Sequence, residues 1–142
     1  MSLQDFCRKR VVTISPDASV MEGCRMMKDN NVGCIVAEDD GKLCGILTDR
    51  DIALKVAGEK RDPQMTSVRD VMTRNPVRIS VEKDLRDLTA LMHSHHVRRV
   101  PIVNGIDKTL GIVTLDDLIA LLGDEMSEIG KAVSEGFPQG NA

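Results

Sequence analysis

Apolar and polar positions along this chain switch between two periods, and the switches follow the same order twice. Val11-Val12-Thr13-Ile14 is a short β-prone run, and Ser15-Pro16-Asp17-Ala18-Ser19 is a turn rich in helix-starting residues. Val20, Met21, Cys24 and Met27 then recur at helical spacing, and Asn30-Asn31 closes that helix. Val32 to Ala37 reads as a buried strand, Glu38 to Lys42 as a hairpin turn, and Leu43 to Leu47 as the returning strand. A helix over 49–57 follows, with Gly58 as its stop. The second half repeats the order. It has a strand over 77–79, a helix marked by Leu85, Leu88, Leu91 and Met92, a strand over 100–103, a turn over 104–108, a strand over 109–113 and a helix from Leu115 to about Leu122. Each half reads β-α-β-β-α. The segment 58–67, with Pro63, reads as the linker, and the tail from Gly130 as frayed.

This order predicts an α/β fold of the α+β type: two halves, each a three-stranded sheet with two helices on one face. The halves bury their other sheet faces against each other, leaving a pseudo-twofold axis and two equivalent clefts. The expected divisions are 5–60, 68–123, and 124–142 as helix end and tail. The chain has 142 residues, enough for one shared core, whereas halves of about 60 residues are marginal alone.

A short motif is also written twice. Gly45-Ile46-Leu47-Thr48-Asp49-Arg50-Asp51 and Gly111-Ile112-Val113-Thr114-Leu115-Asp116-Asp117 share Gly, two aliphatics, Thr, two variable residues and Asp, each marker 66 residues from its copy (45 to 111, 48 to 114, 51 to 117). Thr-x-x-Asp at a helix start has a plain explanation as a capping box. It also has a functional one: Thr is a donor for phosphate, and Asp accepts two bonds from a ribose diol. Asp replaces the usual Glu or Gln, and its shorter side chain is expected to reach back less well. Arg50 lies in the first motif. In the second half the guanidinium groups come instead from Arg98-Arg99, which align with Gly33-Cys34. Guanidinium suits phosphate oxygens.

Composition narrows the field. The net charge of −3 gives no broad cationic field, and the chain has no Trp or Tyr and only two Phe, which weighs against nucleic-acid binding. The N-terminus lacks the apolar run of a signal peptide and no stretch is long enough to span a membrane, so the expected address is the cytoplasm. Cys7, Cys24, Cys34 and Cys44 lack metal or redox spacing, and Cys24, Cys34 and Cys44, which lie within apolar patterns, read as small core residues. His93, His95 and His96 cluster, but no ligand set completes a metal site. No nucleophile motif is present, so no enzyme is expected and no cofactor required. The rival to that expectation is an enzyme or redox protein using Cys44 or the histidine cluster.

Taken together, the segments over 11–17, 45–51, 71–77, 98–103 and 111–117 resemble the cystathionine-β-synthase (CBS) domain family, as a tandem pair covering roughly 5–123. The resemblance implies a stand-alone regulatory Bateman module, associated with energy sensing and usually a homodimer. It implies that adenosine-containing ligands (AMP, ADP, ATP or S-adenosylmethionine) bind in the clefts, with an unidentified effector protein sensing them in trans. By the same resemblance Asp51 and Asp117 hold ribose hydroxyls, Thr48 and Thr114 hold phosphate or ribose, and Arg99, with Arg98 beside it, contacts phosphate. It also implies head-to-tail packing. Val32 and the segment before Val11 then line the Asp117 cleft, and Val97 and 71–76 line the Asp51 cleft. Gly33-Cys34 lacks the basic pair, so the Asp51 cleft is expected to differ in ligand or charge state. The alternative is a structural dimerisation module with empty clefts.

Overall fold

The computed structural model describes residues 2–8 and 11–136, without the side chain of Arg8. The expected tail residues Pro138 and Gly140 lie outside the described residues, as do residues 9 and 10 of the segment before Val11.

The first half begins with β1 (Thr13–Ile14), which pairs in parallel with β2 (Cys34–Asp39). Between them runs α1 (Val20–Asn30), capped by the Ser19 side chain and closed by Asn31 in the left-handed conformation at φ 51°. The hairpin from β2 to β3 (Lys42–Thr48) is antiparallel and turns at Asp40-Gly41, where both residues have positive φ. The next helix starts as α2 (Asp49–Asp51) but widens into a π-helical segment, Ile52–Ala57. Gly58 stays right-handed and donates to Ala53 O at 2.8 Å, so it ends a π turn and is not the left-handed stop that the sequence suggests.

The second half repeats this with β5 (Ile79–Ser80), α4 (Leu85–His95), β6 (Arg99–Val103) and β7 (Thr109–Thr114). His96 closes α4 in the left-handed conformation at φ 53°, as Asn31 closes α1. The last helix, α5, covers Leu115–Glu135. It runs well past Leu122 and through Gly130, where the sequence suggests an end and fraying.

The repeated glycines explain how the halves interlock. The connector forms α3 (Val68–Val71) and then β4 (Thr73–Arg74), which adds to β3 opposite Gly45 and Ile46. Among the described residues the first sheet therefore has four strands, one more than expected, and the second has three. A Cβ at Gly45 would land on the Met72 sulfur, and one at Gly111 would sit 2.7 Å from Phe6 O. Each glycine lets the segment leading the other repeat cross at close range. Ahead of β1, a 3₁₀ turn (Leu3–Arg8) buries Leu3 in the second repeat's core with Ile79, Leu88, Val100 and Val113. Val68, Val71 and Met72, which lead the second repeat, are buried in the first repeat's core with Val20, Ile35 and Leu47. Two isolated bridges mirror each other: Ser2 meets Asp84, and Ser67 meets Ser19.

Successive β2 residues face opposite ways. Ile35 and Ala37 enter the helix-side core, while Val36 meets Leu43 and Val103 in a small third cluster, with Val11 and Ile112 beside it. Arg78, from the second half, closes this junction. It donates to Asp107 Oδ2 at 2.6 Å, to Leu43 O at 3.2 Å and to Asn75 Oδ1 at 2.8 Å. Among the described residues no helix is long and apolar enough to cross a membrane.

Candidate functional site

Two strand ends and two helix starts meet at one cavity between the halves. Thr48 is opposite Cys34 in the first hairpin, and Thr114 is opposite Arg99 in the second. The residue after each Thr is tied back across its hairpin: Asp49 N donates to Gly33 O at 2.9 Å, and Leu115 N to Arg98 O at 2.8 Å. These bonds fix each helix start against the opposite side of its own hairpin, which in the second half carries Arg98 and Arg99.

Both Thr-x-x-Asp boxes are closed. Asp51 N donates to Thr48 Oγ1 at 3.1 Å, and Thr48 N donates to Asp51 Oδ2 at 3.0 Å. The Thr114–Asp117 pair repeats these distances, 3.1 and 3.0 Å. The expectation that Asp reaches back poorly is thus corrected: with the Thr backbone extended (φ −113° and −110°), a carboxylate one methylene shorter than Glu still reaches the amide. The other Asp51 oxygen pairs with Lys55 Nζ at 3.1 Å, and Lys55 donates onward to Val71 O at 3.0 Å.

A cavity of about 660 Å³ opens between the halves. Thr48 and Thr114 both line it, together with Arg50, Val97, Arg98 and Arg99. Its remaining walls include Asp49, Asp116, Ile46 and the crossing segment Thr73, Asn75, Pro76 and Val77. Three guanidinium groups thus face two carboxylates. Arg98 and Asp116 approach only to 4.0 Å and are largely exposed, so this pair leaves the arginine available to an anion. A second cavity of about 260 Å³ is lined by Val11, Val12, Val32, Gly33, Cys34, Ile112, Arg99 and Thr114. The two clefts are therefore unequal, not equivalent as the repeat suggests. One is roomy and charged; the other is small and mostly aliphatic, with Arg99 and Thr114 shared between them.

The structure brings Thr48, Arg50, Val97, Arg98, Arg99 and Thr114 to the large cavity, and Val32 to the small one. Asp51 and Asp117 line neither. The sequence reading missed Asp49, Val77 and Ile112 as walls. The hairpin registers were the signal for Ile112, which lies two residues before Thr114 on the same strand face.

Burial pushes the Cys34 thiol up from its ordinary range, and Asp49 and Asp51 add to this against the opposing pull of Arg99. Burial likewise raises Cys44, whose thiol donates to Ala37 O at 3.4 Å, and Cys7. Raised thiols are poor nucleophiles at neutral pH. Among the described residues no three His, Cys, Asp or Glu side chains gather as a metal site.

The CBS domain family model matches residues 3–58 and again 68–124. The chain is similar to the CBS domain-containing protein YhcV of Bacillus subtilis, 41% identical over 117 residues that cover 82% of each protein. Among solved structures it is similar to the CBS domain NE2398, with TM-score 0.75, 29% identity and coverage of 86% of this chain and 97% of that one. It is also similar to the CBS domain pair of protein MJ0100, solved in complex with 5′-methylthioadenosine and S-adenosyl-L-methionine. There the TM-score is 0.76, the identity 27%, and the coverage 88% and 98%. With a match over each half and a fold that interlocks those halves about one axis, the chain belongs to the CBS domain family, as a tandem pair.

Proposed function

We propose that this protein is a stand-alone regulatory module. It binds an adenosine-containing ligand (AMP, ADP, ATP or S-adenosylmethionine) between its repeats, works as a cytoplasmic homodimer, and signals to an effector protein in trans. It catalyses no reaction. The observation that carries this reading is the large cavity, where Arg50, Arg98 and Arg99 surround Thr48 and Thr114. Guanidinium groups and hydroxyls converging on one hollow suit phosphate or another anionic group. The aliphatic small cavity suits an unstacked purine, since aromatic side chains are absent from its walls. The likeness to the MJ0100 pair supports an adenosine moiety as the common element.

A second reading, a structural pair with empty clefts, draws on the closed caps at Asp51 and Asp117. Thermal unfolding with each nucleotide separates the two. A ligand at about 100 times its Kd adds roughly 2.7 kcal/mol, and Arg98→Ala with Arg99→Ala weakens that protection. Under the structural reading no adenosine compound at millimolar concentration moves the transition, and Asp51→Ala lowers stability by about 1 kcal/mol through lost capping alone.

A further inference from the structure

Among the described residues, Arg99 and Thr114 are the two that line both cavities. They stand opposite each other in the second hairpin. Each has one thing to give. The Thr114 hydroxyl already accepts from Asp117 N at 3.1 Å, and its single hydrogen remains for one acceptor. Arg99 has five N–H donors but one charge. Among the described residues its guanidinium is in no hydrogen bond or ion pair, so it is able to turn to either side.

The rest of the partition is thin and negatively charged. A Cβ at Gly33, a wall of the small cavity, would sit 2.9 Å from Asp49 Oδ2, and Asp49 is a wall of the large one. Arg50 N donates to Asp49 Oδ1 at 2.8 Å and holds that carboxylate at the boundary. It disfavours an anion on the Gly33 side, because charges this close interact appreciably even near a protein surface. Cations are also shared out unequally. The large cavity has Arg50 and Arg98 besides Arg99, whereas Arg99 is the one cation among the described walls of the small cavity. Its charge is felt there: it opposes the upward push of burial on the Cys34 thiol.

We infer that the two cavities are coupled through Arg99 and Thr114. A phosphate-bearing ligand in the large cavity takes both groups, and the small cavity then accepts a neutral nucleoside in preference to a second phosphate-bearing one. This rests on the adenosine-ligand reading above and adds that the two clefts do not fill independently. Such coupling is reciprocal, so an anion in the small cavity weakens one in the large by the same factor.

Methyl NMR of the full chain tests it, with AMP and adenosine as probes. Ile46 reports the large cavity and Ile112 the small one. In the wild type AMP is expected to shift Ile46 first. In the AMP-loaded protein Ile112 then responds to adenosine at a concentration at least about five-fold lower than to further AMP, the low end of typical coupling. Arg99→Gln separates coupling from mere inequality of the cavities. Arg99 is exposed, so the variant is expected to keep the fold, as circular dichroism checks. If the first AMP takes the guanidinium, the variant weakens AMP at Ile46 by about five-fold or more and leaves the response of Ile112 to AMP unchanged. Weakening of AMP at Ile112, or no change at Ile46, overturns the coupling. So does filling of the small cavity first, or one AMP that shifts both reporters at a single midpoint and admits no adenosine. All of these leave adenosine-ligand binding standing. No shift at either reporter with millimolar AMP or adenosine overturns the ligand reading itself.

Discussion

Glycine 111 shows what a single residue contributes here. Its missing side chain leaves room for the Phe6 carbonyl, 2.7 Å from where a Cβ would sit, and for the Cys7 backbone at 3.1 Å. Gly45 plays the same part against Met72, but there the obstacle is a flexible thioether side chain. Gly111→Ala must displace backbone, so it is expected to cost about 1–3 kcal/mol in urea unfolding. Gly45→Ala is expected to cost less, because Met72 can change rotamer. Equal losses, or none at Gly111, would contradict this account. The sequence makes both glycines visible as repeat markers. It does not show why they are glycines, since their neighbours come from the leading segment of the other repeat. The carboxylates of the motif are a parallel case. Their recurrence is legible, but whether Asp51 and Asp117 reach back to the Thr amides depends on backbone angles that no spacing reveals.

At the scale of elements, capping governs where helices begin and what pH does to them. Asp84 opens α4: Asp87 N donates to its Oδ1 at 2.9 Å, and Asp84 N donates to Asp87 Oδ2 at 3.2 Å. The Asp87 amide holds the Asp84 carboxyl below its ordinary range, with lesser help from the Asp87 side chain, the Arg86 amide and the Arg86 charge. A lowered folded-state pKa gives stability that is present above the unfolded value and lost as pH falls through the folded one. Acid titration followed by circular dichroism should therefore show the helix weakening below about pH 4, the ordinary carboxylate range. Asp84→Asn, which still caps, should remove that contribution to the pH dependence. The hairpins and both first helices were legible because period and turn chemistry agree there. The length of α5 was not, because Gly123 and Gly130 read locally as stops. The π segment 52–57 was also invisible, since its apolar spacing serves an ordinary helix equally well.

For the whole molecule, twofold repetition was the most legible feature, and its inequality the least. Arg50, Arg98 and Asp116 all line the large cavity, while Gly33 and Cys34, which stand where the second half has Arg98-Arg99, line the small one. The sequence shows those substitutions but gives no volumes. The connector over 58–67 joins the halves and also packs on one of them. Val20 N donates to Thr66 O at 2.8 Å, Met21 N to Pro63 O at 3.0 Å, and Val68 N to Ala18 O at 2.9 Å, so its far end is built into the first repeat.

The reciprocal crossing of the leading segments means that neither half owns its whole interior. Severing the chain between Glu59 and Lys60 would give one fragment without Val68 and Val71 and another without Leu3 and Phe6, each short of residues that pack its own core. Apart, the two pieces should show little cooperative melting. Mixed in equal amounts, they should reassemble and recover the transition of the uncut protein. Independent folding of either piece would mean the borrowed side chains are dispensable. The two repeats are therefore not neighbours but mutual hostages.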